Sequence, residues 1–373
     1  MTANMEHERQ PIGWRAKVFA SVLALAVGFG LCEIAARVLY PAPPEPAREP
    51  QLLFQSDPQV GFTHVPGQAG FLDDGLATIN AKGLRGDLPE TPKPLGSLRV
   101  LAVGDSTTFG WGVNDRDTYC ALLQRMLIDR DPSRPVSVVN AGVSAYDLRQ
   151  TAGLLRRLAP ELTPDVVLVG FFWNDLPYET ISPDGMPQVA PASPMLVHSA
   201  GSGPRRFRLA NQPSRINRLL RSSRVIYLLR KAWLSAVAPT GPAGNQVRWE
   251  MALLEGRTSK AIDDAWQDVA KTLAEIRALG EVGGYEVGVV IIPIRAQVEG
   301  HYPHAAYQMR VRAIAESLGL FVIDPLPEFL SQPDRASLFI PYDRMHFSAA
   351  GNACIARAAF DALQRRPRVT ALH

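Results

Sequence analysis

Three cysteines in 373 residues are too few and too scattered to build metal or redox chemistry on. Cys32, Cys120 and Cys354 lack the close pairing that a zinc or redox motif needs, so neither a metal nor a cofactor is expected. Cys120 and Cys354 read as buried thiols acting as small hydrophobes, and a disulfide between them stays open only if the fold brings them together. Charge of one sign is also missing. The 39 Lys and Arg against 36 Asp and Glu leave +3, too balanced to call for a nucleic-acid partner. With 46% hydrophobic and 20% charged residues, a largely disordered chain is excluded. The length suits one main domain with appendages.

Long hydrophobic runs are absent except at the N-terminus. Arg15 and Lys17 precede an uncharged run from Val18 to Cys32 that continues through Ile34, Ala35, Ala36, Val38 and Leu39. The run reads as a signal anchor over residues 15–40 behind a cytoplasmic tail at 1–14, with Glu33 and Arg37 four apart on one helical face and able to pair. Trp14 and Tyr40 then mark the two interfaces, and the positive flank turns the rest of the chain outward from the cytoplasmic membrane. A cleaved signal peptide would require a small-x-small site after the run, and no convincing one follows. Residues 41–50 (PAPPEPAREP) predict a stiff, extended linker. Residues 51–95 hold turn signals and the local pattern Ile79-Asn80-Ala81-Lys82-Gly83-Leu84-Arg85-Gly86 without sustained periodicity, and read as an ordered lead-in of short strands and loops.

From residue 96 the rhythm changes to short apolar runs separated by longer amphipathic stretches. Strands are expected at 98–103, 136–140, 166–172, 287–292 and 321–323, and helices at 119–129, 148–158, 260–279, 307–318 and 349–364. Such alternation implies a parallel sheet covered on both faces: a three-layer α/β/α domain over 96–366. Sites in such sheets gather beyond the carboxyl ends of the strands. There the chain places Gly104-Asp105-Ser106-Thr107, Asn140-Ala141-Gly142 and Trp173-Asn174-Asp175, with Asp343-Arg344-Met345-His346 near the C-terminus.

A serine hydroxyl needs a neighbouring base to become nucleophilic, and that base needs an acceptor to fix its tautomer. Ser106, His346 and Asp343 can supply all three. Backbone N–H groups at Ser106 and Gly142 with the side-chain amide of Asn174 can supply an oxyanion hole. Each motif has a plainer reading: Ser106 as a helix cap, Asp105 as a turn former, His346 as a surface histidine like His64, His301 and His304. The conjunction of four motifs in order argues against the plainer readings.

These four blocks resemble those of the SGNH hydrolases, the GDSL-type esterase family, over about residues 97–365, with Thr107 where the name has leucine. The resemblance implies a flavodoxin-like sandwich. It makes Ser106 nucleophile and oxyanion donor, Gly142 and Asn174 oxyanion donors, His346 the general base and then acid, and Asp343 its orienter. Anchored members often act as O-acetyl esterases or acetyltransferases on exported polysaccharide. The expected partners are therefore an acyl-ester substrate, O-acetylated polysaccharide being the candidate, and the membrane. Hydrolysis is the preferred reading, transfer to a sugar hydroxyl the alternative, and a non-catalytic glycan-binding subunit the third.

Residues 176–257 are an insertion that the minimal fold does not require. Within it, 216–237 reads as an amphipathic helical segment. Arg205, Arg206, Arg208, Arg215, Arg218, Arg221 and Arg224 form either a rim that meets anionic glycan or membrane, or a solvated basic face of a packed helix.

Overall fold

The structure is a computed structural model that describes residues 13–40, 48–176, 180–181, 187–188, 206–207, 223–237, 242–300, 302, 304–341 and 343–370. The chain divides into two compact units, 1–43 with 214–235 and 44–213 with 236–373.

The smaller unit contains helix α1, Trp14–Leu39. Its most apolar 18-residue window has mean hydropathy 2.2 and is nowhere buried, so the helix is long and apolar enough to cross a membrane. Glu33 and Arg37 form the anticipated pair at 2.8 Å. Glu33 also accepts from Ser223 Oγ and from the backbone N–H groups of Arg224 and Val225.

In the larger unit the lead-in folds as two hairpins. Strand β1 (Phe54–Asp57) pairs antiparallel with β2 (Gly61–His64), and β3 (Gln68–Leu72) with β4 (Gly75–Ile79). Next come β5 (Leu98–Gly104), the short helix α2 (Ser106–Phe109), α3 (Tyr119–Arg130), β6 (Val136–Gly142), α4 (Leu148–Leu162) and β7 (Val166–Phe171). The insertion contributes β8 (Thr180–Ile181) paired with β9 (Pro187–Gln188), β10 (Arg206–Phe207) paired with β1, then α5 (Arg224–Val237), which up to Ser235 belongs to the smaller unit, and α6 (Pro242–Glu255). Then follow α7 (Lys260–Gly283), β11 (Glu286–Ile291), α8 (Arg295–Val298), α9 (Ala306–Ser317), β12 (Phe321–Ile323), α10 (Leu326–Leu330), α11 (Ala349–Leu363) and α12 (Pro367–Thr370).

The main sheet is all parallel in the order β12-β11-β7-β5-β6. Counted along the chain this is 2-1-3-4-5, the flavodoxin-like winding, with its switch point beside β5. Every residue of β5 and β7 is buried, as unbroken apolar runs covered on both faces should be. Right-handed crossovers put α3 and α4 on opposite faces, where α3 packs with α11 and α4 with α7. An Asp147–Gln150 capping box starts α4, which runs on through Pro160 to a left-handed Thr163. Cys120 on α3 and Cys354 on α11 are buried and unbridged.

Candidate active site

The fully buried β5 delivers Gly104 into a space that admits no side chain. A Cβ there would stand 2.9 Å from the Gly170 carbonyl oxygen, and closer still to Thr108 Oγ1. Asp105 then caps α2, its carboxylate accepting from Thr107 N at 2.8 Å and from Thr107 Oγ1 at 2.7 Å. Ser106 thus occupies the first position of a helix that Gly110 ends at φ +86.

Ser106 meets His346 across 240 residues of sequence. Its Oγ lies 2.9 Å from His346 Nε2, and His346 Nδ1 lies 2.8 Å from Asp343 Oδ2. Asp343 Oδ1 accepts the backbone N–H groups of Met345 (2.7 Å) and His346 (2.9 Å). Burial alone would raise the Asp343 carboxyl, but the bonds from His346 and the two amides outweigh it and hold it at about 2. The carboxylate is therefore ionised and accepts only, so Nδ1 carries the imidazole proton and Nε2 is free to accept from Ser106. The loop bearing both residues closes on itself through Ile340 N–H to His346 O at 3.0 Å. Arg295, from α8 beyond β11, donates to the Asp343 carbonyl.

Gly142 and Asn174 lie beside the same turn. Gly142 pairs with Gly104 at the ends of their strands, and a Cβ on it would stand 2.7 Å from Phe109 Cα. Its N–H donates to Asn140 Oδ1 at 3.0 Å, while Asn140 Nδ2 donates to the Thr108 and Phe109 carbonyls. Asn174, in a single helical turn after β7, donates from Nδ2 to Asp105 Oδ2 at 3.0 Å. An amide nitrogen carries two protons, so one Asn174 N–H is left for a ligand. Asp175 is buried and accepts from Phe172 N at 2.7 Å. Burial and the nearby Asp105 push its carboxyl well above the ordinary range.

Several contributors were not read as site residues. Arg85, in the pattern noted in the lead-in, is buried and directs all its guanidinium donors at protein acceptors. It bonds Asp115 (2.8 Å) and the carbonyls of Phe109 (2.8 Å), Gly110 (2.7 Å), Val113 (2.6 Å) and Leu76 (3.3 Å). Its guanidinium also lies 4.5 Å above the Phe109 ring. It therefore braces the loop that follows Ser106. Trp111, from that loop, lies flat on His346 with ring centroids 5.0 Å apart at 15°. An aromatic between two left-handed glycines, Gly110 and Gly112, just after the serine was the available signal.

The reading of His64 as a surface histidine is corrected. It is buried between Phe54 and Phe109, with centroids 4.8 and 4.9 Å away, because β2 turns alternate side chains inward. His304 is exposed, and His301 lies outside the described residues. So do Arg205, Arg208, Arg215, Arg218 and Arg221 of the insertion, whereas Arg206 falls in β10 and Arg224 starts α5. Among the described residues no group of three His, Cys, Asp or Glu could hold a metal ion.

The model of the GDSL-like lipase/acylhydrolase family matches residues 102–354. Among solved structures, the chain is similar to an α/β hydrolase enzyme from the metagenome of Lake Arreo, at 19% identity and a TM-score of 0.41, over 71% of this chain and 94% of that one. It is also similar to an acetylxylan esterase from Geobacillus stearothermophilus, at 15% identity and 0.39, over 74% and 97%. A lipolytic protein of the G-D-S-L family from Veillonella parvula is similar at 12% identity and 0.38, over 72% and 100%. No curated protein matches the sequence.

Proposed function

The chain belongs to the GDSL-like lipase/acylhydrolase family and is an ester hydrolase, and we propose that it works through an acyl-Ser106 intermediate on an O-acyl ester. The observation that supports this most is the unbroken relay from Asp343 through His346 to Ser106, with hydrogen bonds of 2.8 and 2.9 Å. In this reading Ser106 Oγ attacks the acyl carbonyl carbon as its proton passes to His346 Nε2, and the new C–O bond leaves an oxyanion. The Ser106 and Gly142 N–H groups and the free Asn174 N–H stabilise that oxyanion, Gly142 turning from Asn140 to do so. The imidazolium returns its proton to the departing alkoxide, and water repeats the sequence to release the acid and restore Ser106. The ionised Asp343 holds the tautomer throughout.

The proposed substrate is an acetyl ester on a glycan outside the cytoplasmic membrane, with α1 as anchor. The basic flank of Arg15 and Lys17 supports that orientation. The test is hydrolysis of an aryl acetate by the full chain, beside Ser106→Ala and His346→Ala, with and without added polysaccharide. Each substitution should lower kcat by at least about 10³-fold. Polysaccharide that gains acetyl groups would replace hydrolysis by transfer as the physiological reaction. A folded chain without turnover on acetyl, longer acyl and thioester probes would put a binding role first.

A further inference from the structure

Helix α1 is bare along nearly its whole length, and its covered residues form one stripe. Among residues 13–40, Gly30 and Glu33 are half-buried, Ala36 is buried, and every other residue is exposed. Their spacing of three keeps them on one face, toward the C-terminal end of the helix. There the Glu33 carboxylate meets the start of α5, a helix of the same compact unit. Glu33 accepts from Ser223 Oγ at 2.8 Å and from the N–H groups of Arg224 and Val225, each at 3.1 Å, beside its ion pair with Arg37. The Arg224 guanidinium donates to the Arg37 carbonyl.

The first N–H groups of a helix have no partner within it and commonly turn to water. In α5 each of the first four is taken up by protein. Arg224 and Val225 give theirs to Glu33, Ile226 donates to Ser223 Oγ at 3.2 Å, and Tyr227 donates to the Ser223 carbonyl at 3.0 Å. At about 1.5 Å per residue the 26 residues of α1 reach about 39 Å, against a hydrocarbon core of about 30 Å. With the excess shared between its two ends, Glu33 lies about one turn inside the outer edge of that core. A carboxylate or an N–H without a partner at that depth is costly, because lipid supplies no hydrogen bonds. The contact between Glu33 and α5 removes both costs. Past its first turn, α5 turns apolar side chains outward: Leu229 is 64% exposed, and Ala232, three residues on, is exposed as well.

We infer that α5 is a membrane-surface helix. Glu33 docks its N-terminus on the outer end of α1, and its exposed apolar face lies at the boundary between lipid headgroups and acyl chains. The partner is the bilayer that surrounds α1, since α5 starts at the depth of Glu33 and its first turn asks nothing of water. The inference rests on α1 being the anchor and is independent of the chemistry at Ser106. Because α5 stands in the chain between β10 and α6, it ties the insertion to the bilayer at a second point of the sequence, besides residues 41–50.

The test uses the full chain in phosphatidylcholine vesicles. Cys32→Ser leaves only the buried Cys120 and Cys354, so an environment-sensitive fluorophore can be placed on one introduced cysteine. Leu229→Cys reports on α5, and Leu25→Cys, near the middle of α1, reports on the anchor. Lipids carrying a nitroxide either just below the headgroup or deep in the acyl chain quench the label they reach. The Leu229 label should emit to the blue of its value in water and be quenched most by the shallow nitroxide, at a depth of about 5–10 Å. The Leu25 label should be quenched most by the deep one. Glu33→Leu makes α1 more apolar, so it keeps the span while removing the acceptor for α5. In that variant the Leu229 emission should move toward its value in water while the Leu25 label stays unchanged, the chains being compared at equal helical content by circular dichroism. A water-like Leu229 label beside a quenched Leu25 label would overturn the inference alone. So would a Leu229 label shifted to the blue but quenched by neither lipid, because protein would then cover that face. Equal Leu229 signals with and without Glu33→Leu would overturn the docking. A Leu25 label that neither lipid reaches would remove the anchor and the inference with it, whereas hydrolysis of an aryl acetate by the same vesicles reports separately on the proposed chemistry.

Discussion

At the scale of single residues, the site drives two carboxyl groups of the same type in opposite directions. Asp343 is held charged by donors aimed at both its oxygens, and Asp175 is pushed toward its neutral form by burial and the nearby Asp105. For Asp175 the folded value is raised above the unfolded one of about 4, so its contribution to stability is complete below about pH 4 and is lost as pH rises through the folded value. Asp175→Asn mimics the neutral acid and keeps the acceptor for Phe172 N–H. The melting temperature of the variant relative to wild type should therefore rise between pH 5 and pH 8, which thermal unfolding at the two pH values measures; a constant difference would mean that Asp175 is ionised in the fold. Ser106, Gly142, Asn174, Asp343 and His346 were legible because each stands in a short motif and the four motifs come in order, which overrides the plainer reading that each has alone. Arg295 was not, because it reaches the site only through tertiary contact and has ordinary neighbours in sequence.

At the scale of elements, the five strands of the sheet and their helices were read to within a few residues, since unbroken apolar runs and amphipathic stretches report burial directly. The exceptions are α7, which runs four residues further to Gly283, and α4, which passes Pro160 to end at Leu162. Proline there removes one backbone donor near the helix end, and the buried Leu154, Leu155, Leu158 and Leu162 hold the last turn regardless. The lead-in was legible as short strands but not in purpose, because what it does depends on where Arg85 lands. Arg85 joins β4, the loop after α2 and, through its backbone N–H to Asn140 O at 3.1 Å, the end of β6. Arg85→Met leaves Asp115 and several carbonyls without their donor. It should cost on the order of 3 kcal/mol in denaturant unfolding and lower kcat more than it raises KM. A variant as stable as wild type would show that the lead-in is not a brace for the loop after Ser106.

At the scale of the whole molecule, the chain joins a catalytic α/β unit to a helix able to span a membrane, and composition announced both: an ordinary globular balance of residues with one apolar run in front. The sheet winds so that its switch point lies beside β5, and the strands that end there carry Ser106, Gly142 and Asn174 into one place, while α11 is preceded by the loop that carries Asp343 and His346. The reaction proposed for that place requires the acyl group to reside on one oxygen atom between two half-reactions. The direct test is to mix the full chain with an aryl acetate, quench in acid within the first turnover, and weigh the peptides. The account predicts an acetyl group on the peptide at Ser106, absent from Ser106→Ala and accumulating when deacylation is slowed. Product formed at the wild-type rate with Ser106 never acetylated, or turnover that survives Ser106→Ala, would contradict it.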